Sequence, residues 1–398
     1  MRIGVYGGTF NPIHIGHLEA ARSAVKKLRL DKLLLIPTGL PPHKKLGAGA
    51  PPPEKRLEMT ALAAETLECG AEVLDLELRR EGKSYTLDTL RELKNRFPKD
   101  RFFLMMGTDM FLSFQEWREP KKIARLCTLC AFSRDFQNGQ DAFSAQKKFL
   151  KKSLNADVEL ISLPQVIEIS STQLRQDLSE KRELAKKYLT PAVYGYILRE
   201  GLYGTGADLR HLPLDGLRYV AQSMLKHSRI PHVLGTESTA AALAVRWGAD
   251  ETAARRAALL HDCTKKFDRE QHLHLCRQYS AALDAEELRE GKLLHALTGS
   301  LIAQEVFGES KEVVEAIRWH TTGKADMSLL EKIIYLADYI EPTRSFCGLT
   351  GLRRLAFEDL DRALLLGLTM AVEDLEKNGM TVHSQSVFAR DYLKGKLT

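Results

Sequence analysis

Two periodicities divide this chain, and the change from one to the other limits its fold more than any other feature. Up to about residue 200, short apolar runs alternate with amphipathic stretches. IGVYG (Ile3–Gly7), KLLLIPTG (Lys32–Gly39), AEVLDLEL (Ala71–Leu78), RFFLMMG (Arg101–Gly107) and LCTLCAFSR (Leu126–Arg134) read as strands. Ile15–Leu28, Pro51–Leu67 and Thr86–Phe97 carry helical spacing. Strands alternating with helices of this length predict an α/β domain, a doubly wound parallel sheet covered on both faces. Ligands of such sheets bind at the carboxyl ends of the strands. After Pro191 the texture changes. REGLYGTGADLRHLPL (Arg199–Leu214) has three glycines, one proline and no period, and reads as connecting chain. The expected division is therefore 1–204, a linker at 205–214, and 215–398. From Asp215 onward, stretches such as TAARRAALLHD (Thr252–Asp262) and SLLEKIIYLADYI (Ser328–Ile340) show only helical spacing, so the second domain is expected to be all-α.

Bulk properties agree with two domains. A chain of 398 residues is long enough for each half to bury its own core. Apolar content is 44%, but no apolar run approaches the roughly 18 residues of a membrane span. Met1 leads directly into RIGVYGG, which has none of the features of a signal peptide. The six cysteines are too few and too scattered for a disulfide framework. Cytoplasmic location and no membrane partner are expected. The net charge of +6 is mild; it suits anionic small molecules and argues against a nucleic-acid groove. The lysines of QKKFLKK and ELAKK read as solvated helix faces. Oligomeric state is left open, a homo-oligomer included.

GGTFNPIHIGHL (Gly7–Leu18) lies where the first strand passes into the first helix. Gly7 and Gly8 allow a sharp turn and a close approach of backbone N–H groups to a ligand. The helix that follows offers unpaired N–H groups and the positive end of its dipole, an anion site before any side chain is counted. His14 and His17, three residues apart, can both reach one phosphate. Cys127 and Cys130 also lie three apart, but inside a strand, where they should point to opposite faces and form neither a metal nor a redox pair.

The motif resembles the H-x-G-H signature of the nucleotidyltransferase superfamily and, within it, nicotinate-mononucleotide adenylyltransferases, which are Rossmann-like. TGLPPHKK (Thr38–Lys45), KSYTLDTLREL (Lys83–Leu93), GTDMFLSFQEWRE (Gly107–Glu119), ISSTQLR (Ile169–Arg175) and YLTPAVYGYILREGLYG (Tyr188–Gly204) are similar to further family segments, in the family's order. The resemblance implies transfer of adenylate from ATP to nicotinate mononucleotide, giving nicotinate adenine dinucleotide and pyrophosphate. It implies ATP contacts from Gly7, Gly8, Thr9, Phe10, His14, His17, Ser170, Ser171, Thr172 and Arg175, with Mg²⁺ on the triphosphate. It places Lys44 as a mobile cation, Thr86 and Trp117 on the nicotinate ring, and Asp109 on a ribose hydroxyl. The same superfamily holds transferases for pantetheine or flavin phosphates, against which SYTLDTL and EWRE argue.

In the second half, His232, His261, Asp262, His295, His320 and Asp338 lie on separate helical stretches, each beside an apolar run. An aspartate in IIYLADYIEP must be paired, protonated or bound to a metal if it faces inward. Such a set suits a bundle with a metal site in its core. His232 is preferred to His227 because it adjoins the periodic helix. His211, His272, His274 and His383 are expected at the surface. The strings HDCTKKF, HALTGS, AIRWHTTG and IIYLADYIEPTR resemble HD-domain phosphohydrolases that cleave diadenosine tetraphosphate into two ADP. By that resemblance His232, His261, Asp262 and Asp338 form the basic metal set, and His295 and His320 complete a two-metal centre. Iron is favoured, with manganese or zinc as alternatives, and Lys265 and Arg344 would bind the polyphosphate. An HD domain acting only as a nucleotide-binding regulatory module is the other reading.

Overall fold

The computed structural model describes residues 1–40, 49–67, 69–133, 140–163, 169–289 and 291–398. It divides into two compact units, Met1–Gly206 and Ala207–Thr398.

Among the described residues six strands build the first unit: β1 (Arg2–Gly8), β2 (Lys32–Pro37), β3 (Ala71–Val73), β4 (Arg101–Met106), β5 (Cys127–Ser133) and β6 (Val158–Ser162). They lie in the order β3-β2-β1-β4-β5-β6, and every pairing is parallel. The described helices are α1 (Ile15–Leu28), α2 (Pro53–Ala64), α3 (Thr86–Arg96), α4 (Thr108–Leu112), α5 (Pro120–Leu126), α6 (Gln140–Leu154), α7 (Ser171–Ser179) and α8 (Pro191–Arg199). The chain builds outward from β1 through β2 to β3, then returns to lay β4 along the other side of β1. Val5 thus stands opposite Leu34 on one flank and Leu104 on the other.

Side chains alternate between two cores, as the two-residue period of a strand requires. Tyr6, Leu33, Leu35, Phe103 and Met105 face one core; Ile3, Val5, Leu34, Phe102 and Leu104 face the other. Cys130 belongs to the first and Cys127 to the second, so the thiols diverge. Burial pushes both thiols up, Cys130 to about 12, which leaves them protonated and inert. The third strand is shorter than its sequence suggests. Only Ala71–Val73 pairs with β2, because the Asp75 carbonyl takes the Leu78 and Arg79 amides into a turn. The sixth strand, Val158–Ser162, escapes the sequence pattern because it is an edge strand whose buried and exposed positions break any apolar run.

The second unit is helical throughout its described residues: α9 (Leu214–Met224), α10 (Ile230–Trp247), α11 (Glu251–Leu260), α12 (Arg269–Gln278), α13 (Ala285–Arg289), α14 (Leu294–Glu305), α15 (Lys311–Trp319), α16 (Leu329–Ile340), α17 (Leu349–Glu358), α18 (Leu360–Lys377) and α19 (Ser384–Leu397). α10 packs on α11 and α16, and α15 on α14, α11 and α16. Fully buried Ala254, Ala257 and Ala258 on α11 let its neighbours approach closely. Two histidines expected at the surface are instead buried. His272 places Nδ1 2.8 Å from Thr298 Oγ1, and His383 caps α19 with Nε2 3.3 Å from Glu286. Polar partners far along the sequence make that burial tolerable. His211 and His274 are exposed. Among the described residues no helix is long and apolar enough to cross a membrane.

Leu34, fully buried in β2, is expected to cost about 2–5 kcal/mol when changed to alanine, read as a lower urea midpoint for the first unit.

Candidate functional site

The chain leaves β1 at Gly8 and turns through Phe10, whose φ is 44°. α1 then begins at Ile15 with His14 as its N-cap residue. His14 therefore sits at the mouth of the helix, outside its first turn, and His17 sits one turn in. The His14 backbone N–H donates to His17 Nδ1 at 3.2 Å. A neutral His17 must then carry its proton on Nε2, as a donor. The two rings lie 3.8 Å apart between centroids, tilted by 40°. ISSTQLR comes to the same place. Ser170 caps α7 by accepting from the Gln173 amide at 3.1 Å. Arg175 donates to Thr172 Oγ1 at 3.0 Å and to the Asn11 carbonyl at 2.9 Å, joining α7 to the turn after β1.

Two adjoining cavities open at this edge of the sheet. One, of about 470 Å³, is lined by Gly7, Gly8, Phe10, His14, His17, Asp109 and the Ser170–Thr172 turn. The other, of about 420 Å³, is lined by Gly7, Gly8, Thr9, Thr86 and Trp117, so Thr9, expected among the ATP contacts, lies on the side of Thr86 rather than of the histidines. Tyr6, Gly7, Gly8 and Gly107, at the carboxyl ends of β1 and β4, belong to both. Both volumes suit a small-molecule ligand. Asp109, in the first turn of α4, sits on the histidine side, apart from Thr86 and Trp117. Lys44 lies outside the described residues. Sequence reasoning missed three residues at this edge. Glu77 lines the second cavity, and burial pushes its carboxyl above the usual range against the hydrogen bond from Thr89 at 2.7 Å. Arg118 stacks 4.4 Å above the Tyr85 ring. Tyr203 donates to Asn11 Oδ1 at 2.7 Å.

In the second unit, His232, His261, Asp262, His295, His320 and Asp338 converge. His232 lies inside α10, two residues from its start; His261 and Asp262 follow α11, His295 opens α14, His320 follows α15 and Asp338 closes on them from α16. Their atoms form three overlapping groups: His232–His261–Asp262, His261–His320–Asp338 and Asp262–His295–His320. In each group the candidate ligand atoms lie within 4.8 Å of one another. Three imidazoles are oriented from behind. His261 Nδ1–H donates to the Ala258 carbonyl at 2.6 Å, His320 Nδ1–H to the Ile317 carbonyl at 2.7 Å, and His232 Nδ1–H to Glu341 at 3.0 Å. In its neutral form each ring then turns the Nε2 lone pair inward.

This donor set fits metal cations. His232 and His261 bring their Nε2 atoms to 3.3 Å, and His295 and His320 to 3.2 Å, separations at which lone pairs repel without a cation or proton. Burial lowers His320 to about 4, so its ring is neutral at pH 7, the form that can bind a metal. Burial alone would raise both aspartates, but His232 and His261 hold Asp338, and His261 and Lys265 hold Asp262, well below the carboxylate range. Asp262 Oδ1 is buried and has no hydrogen-bond partner among the described residues. Three cations border the cluster. Lys265 Nζ is 2.8 Å from His295 Nε2, Arg344 2.8 Å from Asp338, and Arg229 2.6 Å from Asp262 Oδ2. Glu341 and Arg229 carry no sequence signal of their own, since each acts on a residue far along the chain.

Comparison with known proteins follows the same division. A Cytidylyltransferase-like family model matches residues 5–177, and an HD domain model matches residues 229–343. The probable nicotinate-nucleotide adenylyltransferase of Dictyoglomus thermophilum is 38% identical over 204 residues, covering 51% of this chain and 100% of the relative. That of Shouchella clausii is 38% identical over 203 residues, covering 51% of this chain and 97% of the relative. A crystal structure of a predicted HD superfamily hydrolase involved in NAD metabolism, from Clostridium acetobutylicum, is 39% identical, covers 46% of this chain and 98% of its own, and has a TM-score of 0.45.

Because Glu341 orients His232 from behind, Glu341→Gln is expected to weaken binding of a transition-metal ion by about 10- to 100-fold, read by metal titration. Unchanged affinity would remove Glu341 from the site.

Proposed function

This chain belongs to the nicotinate-nucleotide adenylyltransferase family through its first half and carries an HD domain in its second, and we propose that it performs one nucleotide reaction in each. In the first, a phosphate oxygen of nicotinate mononucleotide attacks the α-phosphorus of ATP. One P–O bond forms, the bond to the β-phosphate oxygen breaks, and pyrophosphate leaves with its electron pair. No protein nucleophile is required, so the protein's task is alignment and charge stabilisation. The observation that carries this reading is the meeting of the two cavities at Gly7 and Gly8. ATP takes the side lined by His14, His17 and the Ser170–Thr172 turn, and the mononucleotide takes the side of Thr86 and Trp117. The α-phosphate then lies at the shared glycines. His17 donates from Nε2 to the oxygens that gain charge, with His14 beside it. Arg175 and the N-termini of α1 and α7 receive the β- and γ-phosphates. Lys44 adds a positive charge, and Asp109 binds a ribose hydroxyl. Mg²⁺ bound with the triphosphate would supply further neutralisation.

In the second reaction, diadenosine tetraphosphate and water give two ADP. His232, His261, Asp262, His295, His320 and Asp338 would hold two transition-metal ions, iron first among them, with manganese or zinc as alternatives. Such ions supply Lewis-acidic positive charge beside the phosphate oxygens. Lys265 and Arg344 grip the polyphosphate, and Glu341 and the Ala258 and Ile317 carbonyls keep the imidazoles in place. Release of adenylate in place of ADP would revise the cleavage position. Binding without hydrolysis would make the HD domain a nucleotide sensor.

Pyrophosphate release from ATP with nicotinate mononucleotide, pantetheine phosphate and flavin mononucleotide as acceptors tests the first reading. Nicotinate mononucleotide should be the best acceptor, and its failure would sink the reading. His17→Ala should lower kcat by about 10²- to 10³-fold with little change in the KM for ATP. Asp262→Ala should abolish ADP release in the same preparation and leave dinucleotide synthesis intact.

A further inference from the structure

Arg56 is the largest fully buried side chain among the described residues, and its position behind the first site has no use in the adenylyl transfer proposed above. It rises from α2. Its Nη1 donates to the Thr9 carbonyl at 2.7 Å and to the Thr38 carbonyl at 2.7 Å, and its Nη2 to the Gly39 carbonyl at 3.3 Å. All its hydrogen bonds among the described residues go to backbone carbonyls, none to a carboxylate, and its Nε has no partner there. A buried guanidinium without a carboxylate is costly unless fixed dipoles offset it. Here the dipoles come from two different loops. Thr9 follows β1, while Thr38 and Gly39 follow β2. The Thr38 amide also donates to the Gly8 carbonyl at 2.9 Å, so the same two strand exits are tied a second time by backbone.

Thr9 and Thr38 line the cavity of Thr86 and Trp117; neither lines the cavity of His14 and His17. We propose that Arg56 is a positioning residue for the acceptor: it draws the exits of β1 and β2 together and so sets the wall that aims the mononucleotide phosphate at the α-phosphorus of ATP. The assignment rests on the adenylyltransferase reading. It separates the two substrates in a way that a general stabilising role does not, because the wall it fixes belongs to one cavity and not to its neighbour.

The test uses Arg56→Met and Arg56→Lys in the full chain, with circular dichroism and melting to establish folding. ATP affinity is measured calorimetrically without acceptor, and kcat and the acceptor KM by dinucleotide formation. Arg56→Met should raise the acceptor KM and lower kcat, each at least about tenfold, while the Kd for ATP stays within about threefold. Arg56→Lys keeps the charge but loses the planar fork, and should fall between the two. A folded methionine variant with parental kinetics overturns the assignment. So does a loss of ATP affinity equal to the loss for the acceptor, which would mean a collapse of the whole site. Should the methionine variant fail to fold, the lysine variant decides, and parental kinetics there overturn it. A parent chain that makes no dinucleotide overturns the adenylyltransferase reading and this assignment with it; an active parent with unaffected variants overturns the assignment alone.

Discussion

β1 is held by parallel ladders on both flanks, to β2 and to β4, and the first unit is arranged around that constraint. Parallel neighbours cannot be joined by tight turns, so every strand is followed by a crossover, and all strand ends fall on one edge of the sheet. At β1 the order of building reverses, which leaves the chain after β1 and the chain after β4 diverging over a gap. Gly7, Gly8 and Gly107 stand at that gap, and both cavities reach it. The histidines follow from the same geometry. α1 must start close to the end of β1 to cover the sheet, and the residue that caps it, His14, is delivered to the gap with His17 one turn behind.

The second unit depends on a different constraint, the cost of buried charge. Asp262 is almost wholly buried and Asp338 largely so, among four imidazoles, three of which have Nδ1 committed to a carbonyl or to Glu341. Packing alone does not explain that set, since apolar side chains of similar volume would fill the space without the desolvation cost. A cation offsets the cost and also explains the inward aim of the nitrogens. The bordering Lys265, Arg344 and Arg229 give the same place a positive rim, which suits a phosphate chain.

Much of this was legible in the sequence, and the exceptions have a common cause. Buried parallel strands leave apolar runs, amphipathic helices leave a period, and a strand–turn–helix motif with two histidines leaves both. These signals are local. The apolar pattern continues through Leu76 and Leu78 and suggests a longer β3, although the ladder stops at Val73. β6 leaves no clear apolar run, because Glu159 and Ser162 of this edge strand are exposed. The buried polar residues were least legible. His272 and His383 look like surface histidines until Thr298 and Glu286 are brought to them. Glu341 stands 109 residues from His232, and nothing near it announces the contact. Arg56, in a helix rich in charge, differs from its neighbours only by facing three carbonyls. The metal-ligand candidates were an exception to the exception, since histidines beside apolar runs are rare enough to be noticed singly.

The two chemistries proposed for this chain are independent: an adenylyl transfer governed by donors at strand ends and a hydrolysis governed by bound metal. One preparation tests it directly. Transition metals are stripped with a selective chelator while Mg²⁺ is kept in excess, metal loss is verified by elemental analysis, and both reactions are followed in the same sample. ADP release from diadenosine tetraphosphate should disappear and return on adding iron or manganese, while formation of nicotinate adenine dinucleotide should continue at its original rate. Hydrolysis that survives verified metal loss, or two activities that fall together, would contradict it.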